Sequence, residues 1–484
     1  MRDLQHDRGD ETSKTNQPRQ MAGAALAGNI SFYLLIATLA WTPFLLGSDR
    51  PWSWTLLTFL VLACWLLWLI SRWGNPEGLT TSLRRVAGPV ILAVGALLWG
   101  LVQICSRVPA AWIHPVWGMA ADGLNRPVSG MISLNGWDTV TELMKLVTYM
   151  MAGWLAYSFC QRPERAKQML NAIITIGALY ASYALVMAML GLRQGQIFYS
   201  VPLDGSPVAA PFVSHAGFAS FTGMSLICAC AKFVVLSRGN IVSVHGPRTL
   251  FLTTLKFIFG RGTTLLLATL VLFSMLIASA SRAGFLAALI GLMTVLTFAM
   301  VMNRRQAINR WTAIAIVAIA LCALTLFQLN GAALKNNLSE LTPGDNALLG
   351  LRNVFWSAAV HMIWDAPQLG IGLGGFEHAY PLYADHVYPY NIDKAHNDHL
   401  ELAVGWGLPA AIAWWGALLW LAVKSARGVL TRRRDQIYPL IAVGATVLVA
   451  VHSIFDFTLQ LPAVALIYVL ILGCGVAQSF SSRS

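Results

Sequence analysis

The chain has 484 residues, of which 57% are hydrophobic and only 11% are charged, with a formal net charge of +12. A soluble domain would carry about a quarter charged residues, so this composition and the mean hydropathy of +0.62 exclude an ordinary soluble protein. The net positive charge does not indicate a nucleic-acid partner, because Lys and Arg concentrate in short segments between apolar runs, as in membrane proteins.

In chain order, residues 1–28 begin as a polar, charged stretch without an apolar core and predict a disordered cytoplasmic tail, not a signal peptide. Apolar runs long enough to cross a bilayer as helices follow. Twelve are predicted, at 29–47, 52–70, 86–104, 142–160, 169–190, 213–236, 263–281, 283–302, 311–330, 399–422, 438–456 and 462–480. The runs lack the alternation of barrel strands, so only helices can satisfy the backbone in lipid.

The predicted fold is therefore all-α and polytopic, with transmembrane helices 1–9 over 29–330 and helices 10–12 over 399–484. Lys and Arg are frequent in the segments predicted on one side of the membrane, such as 162–167, 304–310 and 424–434, and are sparse in the segments on the other side. This asymmetry places both termini in the cytoplasm. The segment 331–398 then becomes a large outer loop.

The outer loop is predicted to hold structure of its own. The run from Arg352 to Trp364 has apolar residues at helical spacing and predicts an amphipathic surface helix. The glycine-rich run 370–376 resembles a phosphate-binding loop but lacks the strand-turn-helix context, so we predict a tight turn near the site. The aromatic stretch 376–390, which includes Tyr380, suits sugar rings and equally suits an aromatic belt at the membrane surface.

The densest cluster of reactive side chains follows the loop and consists of His396, Asp398, His399 and Glu401. A polar cluster at the membrane boundary is costly unless its members are paired or used. Imidazole is the usual general base near neutral pH, so His396 is the candidate base and the carboxylates could assist it. His396 and His399 do not have the spacing of an HExxH zinc motif, and no metal is predicted.

Two further groups are candidates on the outer side. Arg282 lies in a nearly lengthless turn between the seventh and eighth spans. It is either a snorkelling arginine or an anchor for an anionic headgroup, which Arg193 and Arg352 could join. His452 and Asp456 are four residues apart and are predicted to share a helix face, either as a pair that stabilises the bundle or as part of the site.

These motifs together resemble the O-antigen ligase and polysaccharide polymerase family. The run 282–286 matches the family's Arg-x3-Leu element, and His396 with Gly407 matches its His-x10-Gly element. The segment 352–397 resembles the family's large outer loop, and 452–457 resembles its late-span motif. The resemblance is strongest over about 270–460.

The resemblance implies a metal-independent glycosyltransferase of the bacterial inner membrane that needs no cofactor. It would move a glycan from an undecaprenyl-diphosphate carrier to a glycan or lipid A-core acceptor on the periplasmic face. Arg282 would bind the donor diphosphate, His396 would deprotonate the acceptor, and Arg352 and Tyr380 would position the substrates. The other candidate substrate-site residues are Asp398, His399, Glu401, His452 and Asp456.

Family members often have a second diphosphate-binding arginine near the middle spans. In this sequence the corresponding stretch offers His215, and Arg193 precedes it. We favour a polymerase over a ligase, although the sequence contains no feature that reports the acceptor. The alternative is a transporter or flippase of polysaccharide precursors without catalytic activity. That class predicts a repeat and charges lining the spans, whereas Lys145 and Lys232 are the main internal charges here.

Overall fold

The computed structural model describes residues 8–44, 46–72, 77–190, 211–241, 256, 260, 262–301, 344–384, 392–432 and 434–480. Its helices are α1 (Arg8–Trp41), α2 (Pro51–Arg72), α3 (Glu77–Gln103), α4 (Val116–Leu124), α5 (Gly136–Phe159), α6 (Pro163–Met189), α7 (His215–Ile241), α8 (Thr263–Ala278), α9 (Arg282–Val301), α10 (Gly344–Asp365), α11 (Phe376–Tyr383), α12 (Asp398–Trp406), α13 (Leu408–Thr431), α14 (Ile437–His452) and α15 (Pro462–Ala477). Within these ranges there is no β-strand, only an isolated bridge between Leu46 and Phe212. The predicted all-α class is confirmed.

Seven helices of the described residues are long and apolar enough to cross a membrane. They are Gly23–Phe44, Pro51–Arg72, Leu83–Gln103, Pro163–Met189, His215–Leu236, Arg282–Val301 and Leu408–Thr431. Shorter apolar helices occupy Thr263–Ala278, Ile437–His452 and Pro462–Ala477. The chain is thus a multi-pass membrane protein, as predicted. The predicted span 311–330 lies outside the described residues.

Two helix boundaries differ from the predicted ones. Helix α1 begins at Arg8, within the segment predicted as a disordered tail. Extending an existing helix adds one hydrogen bond for each residue fixed, so a polar stretch can continue a membrane helix outward. The run predicted as one span over 399–422 consists instead of α12 and α13, which Gly407 separates.

The bundle packs around one large apolar core. Helix α9 lies against α14, α5 against α15, and α3 against α13. Large apolar side chains also point outward, among them Leu267, Ile412 and Leu419, each more than half exposed. Such an apolar exterior is unfavourable in water and is suited to contact with lipid.

Helix α10 confirms the amphipathic pattern of the outer loop. Its buried side chains recur at helical spacing and include Phe355, Ala358, Ala359 and Met362. They pack with residues of α11 and α12 into a small second core. This core fixes α10 over the start of α12, which carries the candidate reactive cluster.

The glycine-rich run 370–376 packs against the point where α12 ends and α13 begins. Backbone bonds join Ile371 N to Val404 O at 3.0 Å and Gly372 N to Gly405 O at 2.9 Å. Gly370 has φ +65°, and a Cβ there would lie 2.3 Å from Gly405 O. The glycine-rich run is therefore a tight turn packed against the site-bearing helix, as its sequence predicts.

We predict that Gly370→Ala destabilises the protein by about 2 kcal/mol or more, because it adds both a left-handed strain and a backbone clash. The melting temperature of the detergent-solubilised chain should fall. Gly95→Ala is the matched control, because Gly95 is exposed in α3 with nothing within 4 Å of its Cβ position. Equal melting temperatures for the Gly370→Ala and Gly95→Ala variants would contradict the proposed packing of the glycine-rich turn against α12.

Candidate active site

The site lies where several helix ends meet. The N-termini of α7, α9 and α12 converge on the C-terminus of α14. In α7, Ser220 Oγ lies 2.5 Å from His452 Nδ1 of α14. In α9, a Cβ on Gly284 would lie 3.1 Å from His452 Cε1. The bundle thus brings together segments that are far apart in sequence.

His396 occupies an unusual backbone position directly before α12. Its φ is +51°, a conformation that non-glycine residues rarely adopt. Asn397 caps the helix by accepting hydrogen bonds from His399 N and Leu400 N at 3.0 and 3.1 Å. Strained residues of this kind persist only where their surroundings hold them, and they cluster at functional sites.

The imidazole of His396 pairs with Asp456. His396 Nδ1 lies 3.2 Å from Asp456 Oδ1, and the histidine side chain is 33% exposed whereas the aspartate is 10% exposed. The ring stacks on Phe355 at a centroid distance of 6.4 Å and meets the edge of Phe457 at 5.1 Å. Two aromatic rings and a carboxylate therefore fix the orientation of the imidazole.

The protonation state of the pair follows from its surroundings. Burial alone would raise the pKa of Asp456, but the hydrogen bond with His396 and the charge of nearby imidazoles lower that pKa below its ordinary value. An ionised carboxylate can only accept, so His396 Nδ1 must donate to it. In the neutral imidazole, Nε2 then carries the lone pair and can act as a base.

Asp398 joins the His396 turn to the turn that bears Asp456. Asp398 N donates to Ser453 O at 2.9 Å, and Asp398 Oδ2 accepts from Ser453 Oγ at 2.7 Å. Leu459 N and Gln460 Nε2 also donate to this carboxyl, at 2.9 and 3.2 Å. Burial raises the pKa of Asp398 to about 7, against the lowering effect of these donors. With its oxygens occupied by the protein, Asp398 is a positioning residue.

Glu401 binds the two residues that precede His396 in the same turn. Its carboxylate is 9% exposed and accepts from Ala395 N at 3.1 Å and from Lys394 Nζ at 3.4 Å. Burial lowers the pKa of Lys394, but the negative charges of Glu401 and its acidic neighbours outweigh burial and raise that pKa. Glu401 thus restrains both residues that precede His396.

His399 contacts other residues than those that hold His396. Its Nε2 lies 3.3 Å from Ala450 O, and its ring packs on Trp415 at 4.5 Å. Burial lowers the pKa of His399. The described residues contain no group of three His, Cys, Asp or Glu side chains that could hold a metal ion.

His452 and Asp456 do not share a helix face, which corrects the prediction. Helix α14 ends at His452, and Asp456 lies in the following turn, where its N donates to His452 O at 3.1 Å. The His452 side chain is fully buried against Ser220, whereas Asp456 turns toward His396. The four-residue spacing therefore marks a helix end, not a side-chain pair.

The cationic candidates lie around this end of the bundle. Arg282 is the first residue of α9 and is exposed, and no hydrogen bond of its guanidinium occurs within the described part of the chain. Arg352 on α10 and His215 at the start of α7 both lie within electrostatic range of His452. Arg193 lies outside the described residues.

Tyr380 is buried in the small second core and does not present an exposed ring on which a sugar could stack. It is 4% exposed, and its ring contacts Phe355 at 5.6 Å and Phe376 at 5.7 Å. Tyr380 therefore supports the ring on which His396 stacks. Residues 385–391 of the aromatic stretch lie outside the described residues.

Sequence reasoning missed Phe355, Phe457 and Ser220 as parts of this site. Phe457 follows Asp456 directly, and Phe355 lies one helical turn after Arg352, so proximity to the motifs was an available signal. Ser220 offers no such signal, because only the packing of α7 against α14 brings it to His452.

The fold and the site define a polytopic helical membrane protein with a histidine–carboxylate pair at one end of its bundle. Residues 267–415 match the family model described as O-Antigen ligase, which confirms the predicted resemblance over that segment. The match includes Arg282, Arg352 and His396, and it ends before His452 and Asp456. It implies a membrane glycan function of the O-antigen ligase or polymerase type, with glycan and lipid-linked substrates. A comparison with curated proteins gives no match.

We predict that Asp398→Asn destabilises the protein by about 1–3 kcal/mol, because the amide cannot accept from all the donors that surround the carboxylate. The melting temperature in detergent should fall. Asp393→Asn is the control, since Asp393 is exposed in the same loop. If Asp398 contacts substrate and does not hold the two turns together, both variants should melt at the wild-type temperature.

Proposed function

We propose that the chain is a glycosyltransferase that moves a glycan from an undecaprenyl-diphosphate carrier to an acceptor hydroxyl on the periplasmic face of the inner membrane. The observation that carries this proposal is the His396–Asp456 pair, because it places an oriented base in the segment that matches the O-antigen ligase family. The acceptor is a glycan or a lipid A-core.

In the proposed reaction, His396 Nε2 takes the proton of the acceptor hydroxyl. The acceptor oxygen attacks the anomeric carbon of the donor and forms the new glycosidic bond. The bond between that carbon and the diphosphate breaks, and its electron pair leaves with the diphosphate. The Asp456 carboxylate keeps Nδ1 protonated and stabilises the imidazolium that forms.

Arg282 stabilises the leaving diphosphate in this proposal. Diphosphate is a good leaving group, so electrostatic stabilisation can supply most of the help it needs. Arg282 is exposed at the start of α9, where the helix N-terminus also carries partial positive charge. Arg352, His215 and Arg193 are proposed to complete the cationic set, which makes the reaction metal-independent.

The other residues predicted to bind substrate are proposed to act mainly by positioning His396 and Asp456. Asp398 and Glu401 hold the His396 turn, and Tyr380 supports the aromatic ring beneath the imidazole. His452 fixes the end of α14 through Ser220 and so fixes the start of the Asp456 turn. His399 contacts Trp415 and a backbone carbonyl, so any contact with substrate would be at the margin of the site.

We predict that His396→Ala lowers the rate of glycan transfer by about 10²–10⁴-fold, the usual contribution of a general base. Asp456→Asn should lower the rate by about 100-fold or more, because the neutral amide no longer stabilises the imidazolium and can donate to Nδ1, which favours the wrong tautomer. The assay uses purified protein with a polyprenyl-diphosphate glycan donor. His361→Ala is the control, since His361 is exposed on α10 and outside the pair. Full activity of correctly inserted His396→Ala would overturn the assignment of the base.

A strain lacking this gene separates the remaining candidate functions. Envelope glycans and carrier-linked glycans would be extracted separately and resolved by size. We expect single repeat units at the surface without long chains, the result for a polymerase. Full-length chains stranded on the carrier would instead indicate a ligase. Repeat units trapped on the cytoplasmic side would favour a flippase and reject the enzyme.

A further inference from the structure

Two cavities adjoin inside the bundle, and neither is lined by His396 or Asp456. A cavity of about 80 Å³, lined by Lys394 and three carboxyl groups together with apolar side chains, borders the loop before α12. An apolar cavity of about 370 Å³ lies between α2, α3, α5, α13 and α15. Four residues line both: Tyr149, Trp414, Leu418 and Val469. The two cavities therefore adjoin, with a polar end lined by Lys394 and the carboxyl groups and an apolar end beyond Tyr149.

The combined cavity is elongated along α5. Glu142 lines the polar end, Tyr149 the junction, and Tyr157 the far apolar end. At a rise of 1.5 Å per helical residue, the fifteen residues from Glu142 to Tyr157 correspond to about 22 Å. Trp65, Trp68 and Trp154 also line the apolar part. This shape and lining suit a single hydrocarbon chain.

The polar end carries more carboxylates than cations. Glu142, Asp398 and Glu401 line it, against the single ammonium of Lys394. Lys145 adds a second ammonium behind this lining, 2.7 Å from Glu142 and over the ring of Trp54. An incoming diphosphate would place further negative charge beside three carboxyl groups, whereas an ammonium would be attracted to them.

Tyr149 provides a separate indication of a ligand. The residue is 5% exposed, and its hydroxyl has no hydrogen-bond partner in the described part of the chain. A buried hydroxyl without a partner costs about 1–3 kcal/mol. The indole nitrogens of Trp65 and Trp68, which line the apolar cavity, also have no partner among the described residues. This hydroxyl belongs to a residue at the junction of the polar and apolar cavities, where the linkage between a headgroup and its chain would lie.

We propose that this cavity binds one phospholipid with an amine headgroup. The ammonium would contact the carboxylates of Glu142 and Glu401, and Lys394 would contact the phosphate. Tyr149 would donate to an ester carbonyl, and one acyl chain would fill the apolar cavity. Asp398 and Glu401, which hold the His396 turn, line this cavity, whereas His396, Asp456 and Arg282 do not. The proposal does not depend on the proposed enzymatic activity.

The test measures lipid retention by the full chain, purified in detergent and depleted of lipid. Phosphatidylethanolamine or phosphatidylglycerol with identical acyl chains is added, and bound lipid is counted by native mass spectrometry. We expect one retained phosphatidylethanolamine and a higher melting temperature. Equal retention of phosphatidylglycerol, or no retention of either lipid, would overturn the proposal.

Variants locate the bound lipid. Ala93→Phe fills the apolar cavity that Ala93 lines and should abolish retention, whereas Leu267→Phe on the exposed face of α8 should not. Glu142→Gln should weaken phosphatidylethanolamine binding by about tenfold, the effect of losing one hydrogen bond to a charged group. Asp122→Asn on exposed α4 is its control.

Tyr149→Phe gives a second test if Ala93→Phe does not fold, because it removes only a hydroxyl without a hydrogen-bond partner among the described residues. It should weaken lipid retention without lowering the melting temperature of the lipid-free protein. Unchanged retention in both Tyr149→Phe and Glu142→Gln would reject this site. Preferential retention of an added polyprenyl diphosphate over phosphatidylethanolamine would also reject it.

Discussion

The site depends on one buried carboxyl group that joins two turns remote in sequence. Asp398 follows His396 by two residues, and its partners Ser453, Leu459 and Gln460 surround Asp456 on both sides. Because these donors fix one turn against the other, the distance between His396 and Asp456 is set by the backbone. A flexible pairing of two side chains would be less well oriented, and orientation accounts for much of the effect of a catalytic base.

The break at Gly407 places that carboxyl group where it can act. A single helix through 399–422 would have put the reactive cluster on a membrane span. Gly407 has φ +76° and packs against Gln368 O, so α12 ends there and α13 begins in a new direction. The short α12 remains at the end of the bundle under α10. A glycine separated from His396 by ten intervening residues is thus explained by backbone geometry, without any contact with substrate.

Hydropathy and spacing were sufficient to predict most of the membrane helices and the amphipathic helix α10, and they single out His396 as the candidate base. They could not predict the His396–Asp456 contact, because sixty residues separate the pair and only packing of α12 against the 453–460 turn brings it together. The helical reading of the His452–Asp456 spacing was wrong for a related reason. A four-residue spacing predicts a shared face only while the helix continues, and α14 ends at His452.

Asp456 and Asp398 are both buried near His396, yet their surroundings shift the two pKa values in opposite directions. Asp456 accepts from an imidazole and lies near a second one, so its pKa falls and it stays ionised. Asp398 is surrounded by neutral donors and by the negative charge of Glu401, so burial dominates and its pKa rises. A charged Asp456 fixes the tautomer of His396, and a carboxyl that holds two turns together needs only acceptor oxygens. The environments of the two carboxyl groups thus suit Asp456 to polarising His396, the proposed base, and Asp398 to holding its turn in place.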